Sequence, residues 1–321
     1  LKKLQKEKSR HLMINRLTYF HNPIRRKVFK IVGIALLIVG FVIIGAFLSQ
    51  LVFLALGINP VGSENSLLEL EDESEVRMIL LLLQGLNTLF VYIFLPLIYI
   101  YFFQNDLKRV FLIRTEKLGM FILLSFFIFV TALPITSYLI EFNQQMQIPA
   151  WFSELQQDLL EKEALAQKIT ELIVIYDHWY EIIPILFVVA ILAGIGEELL
   201  FRGLVQNEIC GILKNHHLGI WISAMLFSFI HFQFLGFLPR MALGVLLGYL
   251  YFWSENLVVP IFIHIINNAF TFTLLNFYHR NPDVEVSIAS PTVILLAIII
   301  CGMLITVFYR HSLKMKKIQF F

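Results

Sequence analysis

The feature that most limits what this chain can become is a succession of long apolar runs. A bilayer core needs about 20 apolar residues per helix. Eight stretches approach or exceed that length: Val28 to Leu56, Met78 to Phe103, Leu118 to Ile140, Ile182 to Phe201, Leu218 to Phe237, Met241 to Trp253, Leu257 to Tyr278 and Thr292 to Phe308. The sixth is short and can extend to either side. With 58% hydrophobic and 15% charged residues, a single buried core cannot hide so much apolar side chain from water, so the surplus faces lipid. The expected fold is all-α, a polytopic membrane protein of about eight transmembrane helices. The first run is too long and starts too late for the core of a cleaved signal peptide. Gly33, Gly40, Gly45, Gly244 and Gly248 lie inside these runs, where small residues let helices approach closely.

Charge sets the expected orientation. Lys2, Lys3, Lys6, Lys8, Arg10, Arg16, Arg25, Arg26, Lys27 and Lys30 precede or open the first run with Glu7 alone against them, the excess that marks a cytoplasmic flank. The next connection carries Glu64, Glu69, Glu71, Asp72, Glu73 and Glu75, and the one after it Lys108, Arg109, Arg114 and Lys117. The sign alternates, and Arg310, Lys314, Lys316 and Lys317 return the tail to the first side. Both termini are thus expected in the cytoplasm; the expected setting is a bacterial inner membrane, although the loop charges fit an endoplasmic reticulum membrane as well. The whole-chain balance of 25 Lys+Arg to 23 Asp+Glu argues against a nucleic-acid partner. Between the third and fourth runs, Phe152, Leu155, Leu159, Ala166 and Ile169 recur near helical spacing among Glu154, Asp158, Glu161 and Lys162, predicting an amphipathic helix outside the membrane. Cys210 and Cys301 show no metal-type spacing and read as small hydrophobes.

Ionisable groups inside spans cost about 2.5 to 3.5 kcal/mol each on insertion scales and persist where they have a use. Here they gather in the second half: Glu197, Glu198 and Arg202 at the end of the fourth run, His231 in the fifth, His264, Asn267 and Asn268 in the seventh. On a helix, Glu198 and Arg202 share a face at i,i+4, whereas Glu197 is turned about 100° away. One acid is paired, and the other is left free to accept a proton. Each polar group alone has an ordinary structural use, as a headgroup contact or as helix-to-helix glue. Together they are the residue types that hydrolysis needs: a carboxylate to take a proton from water, an imidazole to position it, and an amide N–H for an oxyanion.

The strings Glu197-Glu198-x-x-x-Arg202, Phe227-x-x-x-His231 and His264-x-x-x-Asn268, in this order on successive spans, resemble the CAAX protease and bacteriocin-processing (CPBP, or Abi) family. That family includes the Ras-converting CAAX endopeptidase. The motifs cover Gly194 to Asn268, roughly a quarter of the chain. The resemblance implies an intramembrane glutamic endopeptidase acting on a peptide or protein substrate, with no cofactor and no metal. Glu197 would be the general base, Glu198 and Arg202 its supporting ion pair, His231 the holder of the water, His264 an assistant and Asn268 the oxyanion donor. It also divides the chain into a basic cytoplasmic arm (1–27), three transmembrane helices (28–140), an acidic external loop with the amphipathic helix (141–180), a CPBP-like catalytic core (181–309) and a basic tail (310–321). Other readings stay open: a zinc-dependent membrane protease, although HExxH is absent; a proton-coupled transporter, although no internal repeat is visible; and a membrane scaffold. Substrate identity and oligomeric state are not encoded in any motif.

Overall fold

The computed structural model describes residues 23–57, 72–101, 117–146, 153–284 and 289–318. The arm up to residue 22, Glu64, Glu69, Glu71, the basic trio Lys108, Arg109 and Arg114, and Trp151 and Phe152 lie outside them. The described residues form helices without a strand: α1 (Pro23–Ala55), α2 (Glu73–Tyr99), α3 (Leu118–Gln144), α4 (Ser153–Val174), α5 (Trp179–Leu213), α6 (His216–Phe229), α7 (Phe237–Ser254), α8 (Val258–Arg280) and α9 (Pro291–Ile318). Seven of them are long and apolar enough to cross a bilayer: α1, α2, α3, α5, α7 with its leading turn, α8 and α9.

Two runs differ from the lengths the sequence suggests. The fifth run is not one span. Helix α6 has 14 residues, about 21 Å at 1.5 Å per residue, and stops before a bilayer is crossed. The stop is local chemistry: Nδ1 of His231 binds the Phe227 carbonyl at 2.8 Å, and Phe232 takes a left-handed φ of 51°. The apolar residues beyond it, Phe234 to Phe237, instead lead into α7, which lengthens the short sixth run. The fourth run is longer than its hydropathy indicates. Helix α5 continues through Arg202 to Leu213, with π-helical stretches over Leu186–Leu192 and Leu199–Gln206 on either side of the two glutamates. Such widened turns are common at functional sites.

Short turns order the second half. Lys214 is left-handed and Asn215 caps α6 by accepting from Leu218 N–H at 3.1 Å; Glu255, also left-handed, ends α7. Helices α6 and α7 run antiparallel at close range. A Cβ on Gly244 would stand 3.0 Å from Ala224 Cβ, and one on Gly248 would stand 2.8 Å from Ile220. The apolar core here includes Leu199, Phe201, Leu204 and Phe227, all buried, while large apolar side chains such as Phe126, Phe127, Val130, Leu295 and Ile299 cover the outside. That outward apolar face belongs against lipid.

The amphipathic helix forms as α4. Leu159, Glu163, Ala166, Ile169 and Ile173 share its half-buried face, so one acid faces inward among apolar neighbours. Its C-terminal end is clamped. Arg77, 2% exposed, donates from Nε to the Leu172 carbonyl (3.1 Å) and from Nη1 to Glu181 Oε2 (2.8 Å). Glu181 also accepts from Ser74 Oγ and from the backbone N–H of Asp177. Asn276 on α8 donates to the Val174 carbonyl at 2.9 Å.

Candidate active site

Residues from α5, α6 and α8 meet around His264, α6 through Phe227. Helix α5 contributes Glu197, Glu198 and Arg202, and α8 contributes His264 two turns after its start. They come together because α5 and α8 pack almost backbone to backbone: a Cβ on Gly194 would lie 2.9 Å from Ile265 Cγ1 and 3.2 Å from its backbone nitrogen. On the other side of α5, Gly196 leaves room for Thr88 and Tyr92 of α2.

Glu198 is fully buried and its Oε1 has two partners. One is Nη1 of Arg202, the i,i+4 pair expected from the sequence. The other is Nδ1 of His264 at 2.7 Å. The guanidinium, itself 1% exposed, donates from Nη2 to the Gly244 carbonyl at 2.9 Å and stacks 5.1 Å above the Phe227 ring. A carboxylate only accepts, so Nδ1 of His264 carries a proton, and its Nε2 is left to face the other acid. That nitrogen is 3.5 Å from Oε2 of Glu197. Glu197, with 17% of its side chain exposed, is the more open carboxylate of the two. One imidazole therefore lies between an acid that is buried and ion-paired and an acid that is partly exposed.

His231 occupies the turn that ends α6. A carbonyl can only accept, so its bond to Phe227 puts the proton on Nδ1 and leaves Nε2 as an acceptor. Its ring centroid is 5.2 Å from that of Phe227, and the Phe227 ring is 5.8 Å from His264, both edge-on, so both imidazoles pack against one phenyl ring. Neither carboxylate is within 4 Å of His231. Asn268, one turn beyond His264, donates from Nδ2 to the Val189 carbonyl at 3.2 Å and accepts from Nδ2 of Asn267 at 3.2 Å. An amide nitrogen has two hydrogens, so Asn268 keeps one for a further acceptor, held in place by its neighbour.

Glu197 lies 18 residues from Trp179 and 16 from Leu213, near the middle of α5 rather than at a span end, because the helix outruns its apolar stretch. Sequence patterns give no signal for two contributors, the Gly244 carbonyl and the close approach at Gly194, nor for the neighbouring Arg240. Arg240, half-buried in the first turn of α7, donates from Nη2 to Gln233 Oε1 at 2.9 Å. Among the described residues, no set of three or more His, Cys, Asp or Glu side chains is gathered so as to hold a metal ion.

Residues 179–270 match the family described as type II CAAX prenyl endopeptidase Rce1-like. The chain is 34% identical over 103 residues to the membrane-embedded CAAX protease MroQ of Staphylococcus aureus, covering 29% of this chain and 41% of that one. It is 32% identical over 105 residues to the uncharacterised protein YpbD of Bacillus subtilis, covering 32% and 51%. The chain thus spans about half or less of the length of the curated relatives it matches. No solved structure matches it. The matched segment contains all three motifs, and the resemblance they carry is to this CAAX protease family.

Proposed function

We propose that this chain is an intramembrane endopeptidase that hydrolyses a peptide bond with a water activated by Glu197 and the two imidazoles. The observation that carries the reading is the position of His264, bonded through Nδ1 to the buried Glu198 and directed through Nε2 at Glu197. The match of residues 179–270 to the Rce1-like endopeptidase family, and the similarity to MroQ, a CAAX protease, support the same class of chemistry.

In this reading Glu197 takes the proton of the attacking water. His231, with Nε2 free to accept, holds that water from the α6 turn. Glu198 fixes the tautomer and orientation of His264, as a buried carboxylate does for the histidine of a serine peptidase triad, and Arg202 balances the charge. The spare hydrogen of Asn268 is directed at the developing oxyanion, where fixed donors act strongly in a dry site. Proton return to the leaving amine goes through Glu197 or through His264, whose Nε2 lies 3.5 Å from Glu197 Oε2.

The proposed setting is a bacterial cell membrane with both termini in the cytoplasm. Lys117, Lys214 and Lys314 sit at one end of the bundle, while Asp72, Glu73, Glu75 and Glu141 sit at the other. Arg77 and Arg280 share the acidic end, so the bias is partial, in the direction the positive-inside rule describes.

The test is cleavage of a synthetic peptide library by the purified chain in detergent, read by mass spectrometry. Discrete cleavage that survives a zinc chelator is expected. Loss in chelator with recovery on adding zinc would replace this mechanism with a metal-dependent one. No cleavage, with proton or solute flux in proteoliposomes, would replace the class.

A further inference from the structure

Arg240 has no role in the chemistry above, yet it stands beside it. It is one helical turn before Gly244, whose carbonyl receives Arg202, and its guanidinium reaches back to Gln233, two residues beyond His231. Gly236 makes this reach possible, since a Cβ there would fall 2.4 Å from Nη2. Both of the Arg240 hydrogen bonds go to neutral oxygens of one residue, and no carboxylate of the described residues lies within 4 Å of it. The acids whose charge reaches it are Glu163 on α4 and Glu197. Glu163 accepts from the Leu235 N–H at 3.1 Å and is not within 4 Å of the guanidinium.

A half-buried guanidinium without a direct counter-ion is costly unless an anion meets it, and a planar fork of donors matches a carboxylate in two-point geometry. We infer that Arg240 is a specificity-determining residue that binds a carboxylate of the peptide substrate, fixing where the chain lies relative to Glu197 and His231. This rests on the peptidase reading for its substrate class. The carboxylate can come from the substrate's C-terminus or from an acidic side chain near the cut, and Gln233 holds the guanidinium in the orientation that receives it.

The experiment uses the full chain in detergent and three fluorescein-labelled forms of one apolar decapeptide: C-terminal acid, C-terminal amide, and amide with one Asp. Binding is read by anisotropy in the wild type, Arg240→Gln and Arg240→Lys, with thermal unfolding as a control for folding. The expected result is that the acid form, the Asp form or both bind about tenfold tighter than the plain amide in the wild type. In Arg240→Gln that advantage disappears, and in Arg240→Lys part of it returns. Whichever form is favoured identifies the source of the carboxylate. Equal binding of all three forms by the wild type, or an advantage that persists in Arg240→Gln, overturns the inference. Because binding is read without turnover, discrimination without cleavage would sink the peptidase reading and leave the anion site standing.

Discussion

Nδ1 of His264 lies 2.7 Å from Oε1 of Glu198, a residue 66 positions earlier in the chain, and the same oxygen receives the guanidinium of Arg202. The contact joins α5 to α8 at the depth where both are surrounded by apolar side chains. It fixes the imidazole by hydrogen bonding at one nitrogen and leaves the other for chemistry.

Replacing Glu198 is therefore expected to damage both stability and turnover. Glu198→Gln leaves Arg202 buried without a counter-ion, an effect of about 3 to 5 kcal/mol when one partner of a buried pair is removed. It also releases the His264 tautomer, for which a loss of up to about 10⁴-fold in rate is the precedent. Thermal unfolding and peptide turnover measured on the same preparation would separate the two effects. A variant that matches the wild type in both would refute the orienting role.

Asn268→Ala removes the spare donor together with the bond to the Val189 carbonyl. Turnover is expected to fall about 100- to 1,000-fold, with KM changing far less than kcat. A change confined to KM would make Asn268 a ground-state binding group instead.

Gly194→Ala probes the approach of α5 to α8. The added methyl meets Ile265 at 2.9 Å and its backbone nitrogen at 3.2 Å, so α8 must shift. Overpacking of this kind costs about 1 to 3 kcal/mol, and the displaced His264 should lower kcat by more than the stability loss explains. Unchanged kinetics would mean that the site tolerates such a shift.

Arg77→Ala tests the clamp that holds α4. It leaves Glu181 buried beside α2 without its cation, and a loss of about 3 to 5 kcal/mol is expected. Protease cutting should appear first within 153–174. A stable variant with α4 still protected would contradict the clamp.

Fold class could be read from the sequence because hydrocarbon thickness imposes its length on every apolar run. The Glu198–Arg202 pair was equally visible, since i,i+4 spacing on a helix fixes it regardless of tertiary context. Element ends were less visible. Helix α6 stops because His231 and Phe232 alter the backbone locally, while hydropathy continues unbroken through them; α5 continues because Arg202 and Gln206 are satisfied by the Gly244 and Gly248 carbonyls, a tertiary effect that composition does not record. For the same reason the contact between His264 and Glu198 has no sequence signature. It depends on how closely Gly194 of α5 lets the Ile265 backbone of α8 approach.

Glu197 is the residue proposed to take the proton from water. Glu197→Gln is nearly isosteric, and its site is not part of the buried ion pair, so the variant should unfold at the wild-type temperature. In a mass-spectrometric assay on the best-cleaved library peptide, this folded variant is expected to give no product above background. Product at a rate within about tenfold of the wild type, well short of the 10²- to 10⁴-fold that general-base catalysis contributes, would contradict it.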